Sequence, residues 1–165
     1  YDMVQKVCAL YEDFSMPDLL EKQKQRGTNF EFTLVDLEDK NSIGYITINR
    51  PEAMNALNET VVRQLDQCLD RTLENPAVEI VVIQGAGKTF VAGADISFFI
   101  KKIKKDQIED IVAFTRKGHE VFLKIENFPK PAFVFLDGLS MGGGSELALA
   151  ARAVISSAMA GPPWP

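Results

Sequence analysis

The sequence contains little cysteine and a single histidine. Its two cysteines, Cys8 and Cys68, are far apart, and neither takes part in a CxxC or Cys/His spacing. Nothing in this pattern predicts a zinc site or a redox pair. No serine or cysteine motif that would use His119 as a base lies near it. We therefore expect no metal site, and we expect His119 at the solvent edge of a helix rather than in catalysis.

Long apolar runs and an excess of basic residues are also lacking. No stretch approaches the roughly eighteen apolar residues of a membrane span, and no charged-then-apolar leader is visible. The 18 Lys and Arg residues are outnumbered by 23 Asp and Glu, for a net charge of -5. Proteins that bind nucleic acid usually present a basic face. These absences predict a cytoplasmic protein with no membrane span and no nucleic-acid partner.

Glycine-rich loops are present, but they fit no nucleotide-binding pattern. Residues 87–89 read GKT, like the end of a P-loop, yet that motif needs a glycine at the position of Val82. The glycines at 142–144 lack the third, spaced glycine of a dinucleotide fingerprint. The loops must therefore serve another purpose.

Apolar strands alternate with helix-forming segments along most of the chain. A content of 46% hydrophobic and 25% charged residues is that of a globular domain able to bury a core. Helices that connect successive strands predict an α/β fold with a mostly parallel sheet and crossover helices. The predicted elements are a strand hairpin at 30–37 and 44–49 about a turn at 38–42, strands at 78–83, 132–136 and 153–157, and helices at 58–74, from about 96, at 107–126 and from about 145.

The most informative segment is MGGGSEL at 141–147, between a buried strand and a helix. The first amides of a helix have no intrahelical acceptor and carry the positive end of its dipole, so an oxyanion or phosphate is favoured there. Glu146 would lie beside that pocket. A turn that needs glycine only for its backbone angles is the alternative interpretation.

A second loop of small residues follows another predicted strand. The strand at 78–83 continues into GAGKTF at 85–90 and VAGADI at 91–96. Two such loops can each direct one backbone N–H to the same carbonyl oxygen, which is the minimal oxyanion hole. The pair of loops therefore favours an anion site over a simple turn.

Three motifs occur in order: INRPEAMNAL at 48–57, FVAGADI at 90–96 and GLSMGGGSEL at 138–147. Together they are more specific than any one alone. With them the chain resembles the N-terminal half of a crotonase, a member of the enoyl-CoA hydratase/isomerase superfamily, over roughly residues 31–160. The resemblance implies the ββα superhelix of that superfamily, with residues 30–165 as the N-terminal part of the domain.

The resemblance also implies roles for individual residues. The amides of Ala94 and Gly143 would bind the thioester oxygen of an acyl-CoA, and Glu146 would be the first of two catalytic glutamates. No separate cofactor is implied, because coenzyme A is part of the substrate. Further substrate contacts are implied at Ala53, Ala92, Gly93, Asp95, Ile96 and Gly142.

The second glutamate of the family is expected immediately after Pro165, where the sequence stops. We therefore expect a chain truncated at its C-terminus that has little or no hydratase turnover by itself. Two features depart from the family pattern. Arg152 stands where an aspartate is common, and GPPWP at 161–165 is richer in proline than the usual loop.

Residues 1–29 do not continue the strand and helix pattern. They predict two short helices that form a helical extension or linker. The segment MPDLLEK at 16–22 also resembles the tail of a 3-hydroxyacyl-CoA dehydrogenase, as found fused ahead of a hydratase in some bifunctional proteins. Both interpretations stay open.

The function implied by the resemblance is an enoyl-CoA hydratase, alone or as a module of a bifunctional fatty-acid oxidation protein. A homo-oligomer is expected for the full-length protein. The alternatives are another enzyme of the superfamily, an enoyl-CoA isomerase or an acyl-CoA thioester hydrolase, and a truncated fragment that only binds acyl-CoA. The lysines of KKIKK at 101–105 could face the CoA phosphates or form a solvated helix face.

Overall fold

The computed structural model describes residues 34–156. The predicted helices at 1–29 and the proline-rich tail lie outside this part of the chain. The strands are β1 Val35–Lys40, β2 Ile43–Ile48, β3 Ile80–Gly85, β4 Thr89–Val91, β5 Ala132–Leu136, β6 Leu139–Ser140 and β7 Ala153–Ser156. The helices are α1 Glu59–Glu74, α2 Ile96–Lys104, α3 Ile108–Glu126 and α4 Gly143–Ala150, with a short 3₁₀ turn at Pro51–Ala53.

Five strands form the main sheet, in the order β1-β2-β3-β5-β7. The β1–β2 pair is antiparallel, and the other three pairs are parallel. The predicted α/β fold with a mostly parallel sheet is therefore confirmed. All six residues of β2 are buried, as expected for a strand inside such a sheet with both faces covered.

The hairpin turn is shorter than predicted. Its loop is Asn41 and Ser42 alone, with φ of 52° and 65°, and Lys40 pairs with Ile43. Positive φ at both loop residues gives a turn that matches the twist of the flanking strands. The prediction of a turn over 38–42 was wrong because β1 is an edge strand, whose polar residues resemble those of a loop.

A second, two-stranded sheet was not predicted from the sequence. Strands β4 and β6 pair in parallel, Thr89 with Leu139 and Val91 with Ser140. Strands of three and two residues are too short to show a periodic pattern. This small sheet matters for the site, because β4 leads to Gly93 and β6 leads to Gly142. It therefore brings the two glycine loops side by side.

Helix α3 is fastened to α1 by charged side chains at the edge of the core. The Asp66 carboxylate contacts Lys117 Nζ at 2.7 Å and Lys124 Nζ at 2.6 Å. In α1, Cys68 is fully buried, and burial raises the pKa of its thiol to about 12. Among residues 34–156, no helix combines the length and apolar character that crossing a lipid bilayer would require.

Candidate active site

The backbone around Ala94 is held in a fixed direction by Leu57. The Leu57 N–H donates to Gly93 O at 2.8 Å, and the Asp95 N–H donates to Leu57 O at 2.8 Å. Successive N–H groups of an extended segment point to opposite sides. The N–H of Ala94 is therefore directed away from Leu57, and it has no acceptor among residues 34–156.

Gly143 is the first residue of α4, so its N–H has no acceptor within the helix. The next three N–H groups are satisfied locally, because Gly144 donates to Met141 O and both Ser145 and Glu146 donate to Gly142 O. Within the described part of the chain, the Gly143 N–H is thus left free to bind a ligand. The sequence leads to this arrangement because only Met141 separates the end of β6 from the glycine run.

The two loops approach each other through their glycines. A Cβ placed on Gly93 would lie 3.2 Å from Met141 O and 3.9 Å from Gly143 N. A Cβ placed on Gly143 would lie 3.9 Å from Ala94 N. Gly93 also has a φ of 85°, which side chains disfavour. Only glycine at position 93 allows both the backbone angle and the close approach to the second loop.

A cavity of about 230 Å³ lies against both loops. Ala94, Gly143 and Glu146 all line it, so the structure brings together the three residues predicted as catalytic. Glu146 lies in the first turn of α4 and is exposed. The rest of the wall is mostly apolar and comes from Leu57, Val62, Phe99, Phe114, Phe122, Thr115, Gly118 and His119.

None of the six further substrate contacts implied by the resemblance lines this cavity. Gly93 and Gly142 directly precede Ala94 and Gly143 in the chain, and Ala53 and Ala92 are half-buried. Ile96 is 71% exposed at the start of α2, and Asp95 is paired with Arg50. Their contact with substrate remains a prediction. The same holds for the 101–105 lysines, of which Lys102 contacts Asp110 at 2.7 Å.

Sequence reasoning missed most of the cavity wall. His119 is exposed, as expected, but it also lines the cavity that contains Glu146. Its neighbours Phe114, Gly118 and Phe122 follow the spacing of one helix face, which was the available signal. The aromatic wall is completed by Phe99 of α2, whose ring meets that of Phe114 edge-on at 5.8 Å.

The fold and the site define an α/β protein with two free backbone donors and one carboxylate at a mostly apolar cavity. Residues 43–160 match the sequence model of the Enoyl-CoA hydratase/isomerase family. That match covers well over half of the chain. The chain belongs to the enoyl-CoA hydratase/isomerase family, and its fold is that of the crotonase superfamily.

Individual relatives agree with this family membership. A crotonyl-CoA hydratase of Syntrophomonas wolfei is 37% identical over 81% of this chain and 50% of its own length. A short-chain-enoyl-CoA hydratase of Clostridium acetobutylicum is 35% identical over 79% and 49%. The crystal structure of an enoyl-CoA hydratase from Rhodobacter sphaeroides is similar with a TM-score of 0.71 and 32% identity, over 76% of this chain and 37% of that one. The chain spans about half the length of the curated relatives it matches.

Proposed function

We propose that the full-length protein is an enoyl-CoA hydratase, which adds water to an α,β-unsaturated acyl-CoA. One observation carries the proposal: Ala94, Gly143 and Glu146 line the same mostly apolar cavity. Two relatives, a crotonyl-CoA hydratase and a short-chain-enoyl-CoA hydratase, support the same activity. Coenzyme A enters as part of the substrate, so the proposal includes no separate cofactor.

The two N–H groups would act on the thioester oxygen. Attack of water on C3 moves an electron pair through C2 to this oxygen and forms an enolate. Donors directed at the developing negative charge stabilise the transition state more than the bound substrate. The loss of one such donor typically costs about 3 to 4 kcal/mol. The pair at Ala94 and Gly143 would therefore supply a large part of the rate enhancement.

Glu146 would act as the general base. Its carboxylate accepts a proton from the attacking water while the C3–O bond forms. The enolate then collapses, and C2 takes a proton from a second acid, which we assign to the second glutamate implied by the family resemblance. General acid–base catalysis by one positioned group is typically worth about 10²–10⁴-fold. The proton on Glu146 then passes through solvent to the second glutamate, so both groups return to their starting states and the net reaction consumes one water.

Exposed apolar side chains support a proposal about the assembly of the protein. Apolar side chains remain exposed in the described part of the chain, among them Leu149 at 81% and Ile96 at 71%. Exposed apolar groups of this kind suit contacts with the rest of the protein or with another subunit. We propose a homo-oligomer that works in the cytoplasm and has an acyl-CoA thioester as its ligand, with no nucleic-acid partner.

A different reaction of the same enolate is the second candidate. The family description includes isomerases, and an isomerase would use the same two N–H groups to hold an enolate. It would move a proton between carbon atoms and would need no attacking water. A thioester hydrolase would instead release free coenzyme A.

One assay of the full-length protein separates these reactions. The protein is given crotonyl-CoA, and three readouts are followed together. Formation of 3-hydroxybutyryl-CoA reports hydration, free thiol reports thioester hydrolysis, and isotope exchange at the carbon atoms reports proton transfer to carbon. A 3-enoyl-CoA is offered in parallel. Formation of 3-hydroxybutyryl-CoA as the main reaction supports the hydratase. Isomerisation or thiol release without hydration would reject it.

A further inference from the structure

Asp95 follows Ala94 directly, and its carboxylate is fully engaged. One oxygen accepts hydrogen bonds from the Ser97 N–H at 2.9 Å and the Ser97 hydroxyl at 2.6 Å. The bond from the Ser97 N–H makes Asp95 the N-cap of α2. The other contacts Arg50 Nη2 at 2.7 Å, and the two side chains are only 17% and 12% exposed. Burial raises the pKa of Asp95, but the bonds from Ser97 and Arg50 outweigh it, and the pKa is lowered.

Arg50 is at the same time attached to the segment that holds the other side of Ala94. Its Nη1 donates to Ala56 O at 3.1 Å, and Ala56 is the neighbour of Leu57. Its backbone N–H donates to the Asn55 side chain, which in turn donates to Ala86 O and Thr89 O. One guanidinium therefore connects the residue before Leu57 with the residue after Ala94.

We propose that Arg50 and Asp95 are a positioning pair that sets the direction of the Ala94 N–H in the oxyanion hole. The inference rests on the proposed function, because only a bound enolate makes that direction important. Leu57 forms hydrogen bonds with Gly93 and Asp95, the residues on either side of Ala94. Arg50 holds this arrangement in place through its contacts with Ala56 O and the Asp95 carboxylate. Arg50 itself is not among the residues that line the cavity.

The expected loss of rate follows from how accurately an oxyanion hole must place its N–H donors. A misplacement of about 1 Å can cost about 10²-fold in rate. Arg50→Lys keeps the positive charge, but a single ammonium lacks the planar fork that meets two acceptors in fixed directions. Asp95→Asn keeps a side-chain acceptor for the helix cap but removes the negative partner of Arg50.

The test uses four single variants in the full-length protein, Arg50→Lys, Arg50→Met, Asp95→Asn and Asp66→Asn, together with the double variant of Arg50→Met and Asp95→Asn. Asp66 is the matched control, because it also loses a half-buried ion pair but lies away from the oxyanion loops. Three quantities are measured: kcat for crotonyl-CoA, KM for crotonyl-CoA, and the absorption maximum of bound dimethylaminocinnamoyl-CoA. This thioester absorbs at longer wavelength when its carbonyl oxygen accepts hydrogen bonds.

For Arg50→Lys and Asp95→Asn we expect kcat to fall about 10- to 100-fold, KM to change little, and the red shift of the bound thioester to shrink. Asp66→Asn should keep both kcat and the full red shift. A double variant with Arg50→Met and Asp95→Asn should lose little more activity than Arg50→Met alone, because both residues act through one contact.

A full red shift and normal kcat in Asp95→Asn would overturn the positioning role. So would equal losses in Asp66→Asn, since these would show a general loss of stability. If Arg50→Lys fails to fold, Asp95→Asn still decides the matter, because it leaves the cap of α2 in place. Failure of the proposed function has a different signature: the wild-type protein itself would not hydrate crotonyl-CoA, whether or not the bound thioester shows a red shift.

Discussion

At the scale of single residues, the proposed reaction depends mainly on backbone atoms. The N–H groups of Ala94 and Gly143 have no acceptor among the described residues, and the surrounding hydrogen bonds fix their directions. A side-chain substitution at either position leaves the N–H in place. Glu146 is different, because it lines the cavity and its proposed role depends on its side chain. It is therefore the position where a small chemical change is most informative.

Glu146→Gln in the full-length protein should lower kcat for crotonyl-CoA by about 10²–10⁴-fold, because the amide cannot accept a proton from water. Thioester binding should be largely unchanged, since the side chain is near-isosteric and the two N–H groups are untouched. Steady-state kinetics and a binding titration with butyryl-CoA measure the two effects. Glu74→Gln, an exposed change at the end of α1, is the control. A kcat within threefold of wild type would remove Glu146 from the mechanism.

At the scale of secondary-structure elements, the site depends on how closely α4 approaches β4. A Cβ on Gly144 would lie 2.1 Å from Val91 O and 2.8 Å from Val91 Cβ. Gly144 therefore allows the first turn of α4 to lie directly against the small second sheet. Gly118 in α3, by contrast, has room for a side chain, since a Cβ there would have no atom within 4 Å.

Gly144→Ala should therefore destabilise the fold by about 3 kcal/mol, because the backbone of β4 has to move. Gly118→Ala should stabilise it by about 0.5 to 1 kcal/mol, because alanine restricts the unfolded chain and favours the helix. Denaturant unfolding of the two variants measures both free energies. Equal stability of the two variants would show that α4 does not pack closely on β4.

The same elements show how much of the fold the sequence predicts. Within residues 34–156, the strands of the main sheet and the four α-helices were predicted, because long apolar or periodic runs identify them. Their ends were less accurate: β3 begins at Ile80 rather than 78, and α4 begins at Gly143 rather than about 145. Strands β4 and β6 were missed, because pairs of two or three residues form only when distant segments meet.

The candidate site likewise contains residues that the sequence predicts and residues that it misses. Ala94, Gly143 and Glu146 belong to short local motifs, so the sequence predicts them. The cavity wall does not come from one motif, because Phe99 and His119 reach it from different helices. The Arg50–Asp95 pair was also missed, since its partners are 45 positions apart in the numbering and become neighbours only through folding.

At the scale of the whole molecule, half-buried carboxylates in ion pairs link stability to pH. Burial raises the pKa of Asp66, but hydrogen bonds from Lys117 and Lys124 outweigh it and lower the pKa below the usual value of 3.8. Asp95 behaves in the same way. A lowered pKa in the folded state stabilises the fold above the usual value, and this stabilisation is lost as the pH falls through the lowered pKa.

The free energy of unfolding should therefore decrease as the pH falls below about 4, and Asp66→Asn should make this decrease shallower. Above that range the variant should be less stable than the wild type, because its amide carries no charge to pair with the two lysines. Denaturant unfolding between pH 2 and pH 7, in steps of about one unit, measures the dependence. An identical acid dependence in wild type and variant would contradict the contribution of Asp66.

The central claim is that one thioester oxygen binds the N–H groups of Ala94 and Gly143 together. A crystal structure of the full-length protein with butyryl-CoA, which is saturated and cannot react, tests it most directly. We expect the thioester oxygen to lie about 2.7–3.1 Å from both nitrogens, with Glu146 facing C3 of the acyl chain. An oxygen bonded to one nitrogen and farther than about 3.5 Å from the other would contradict the account.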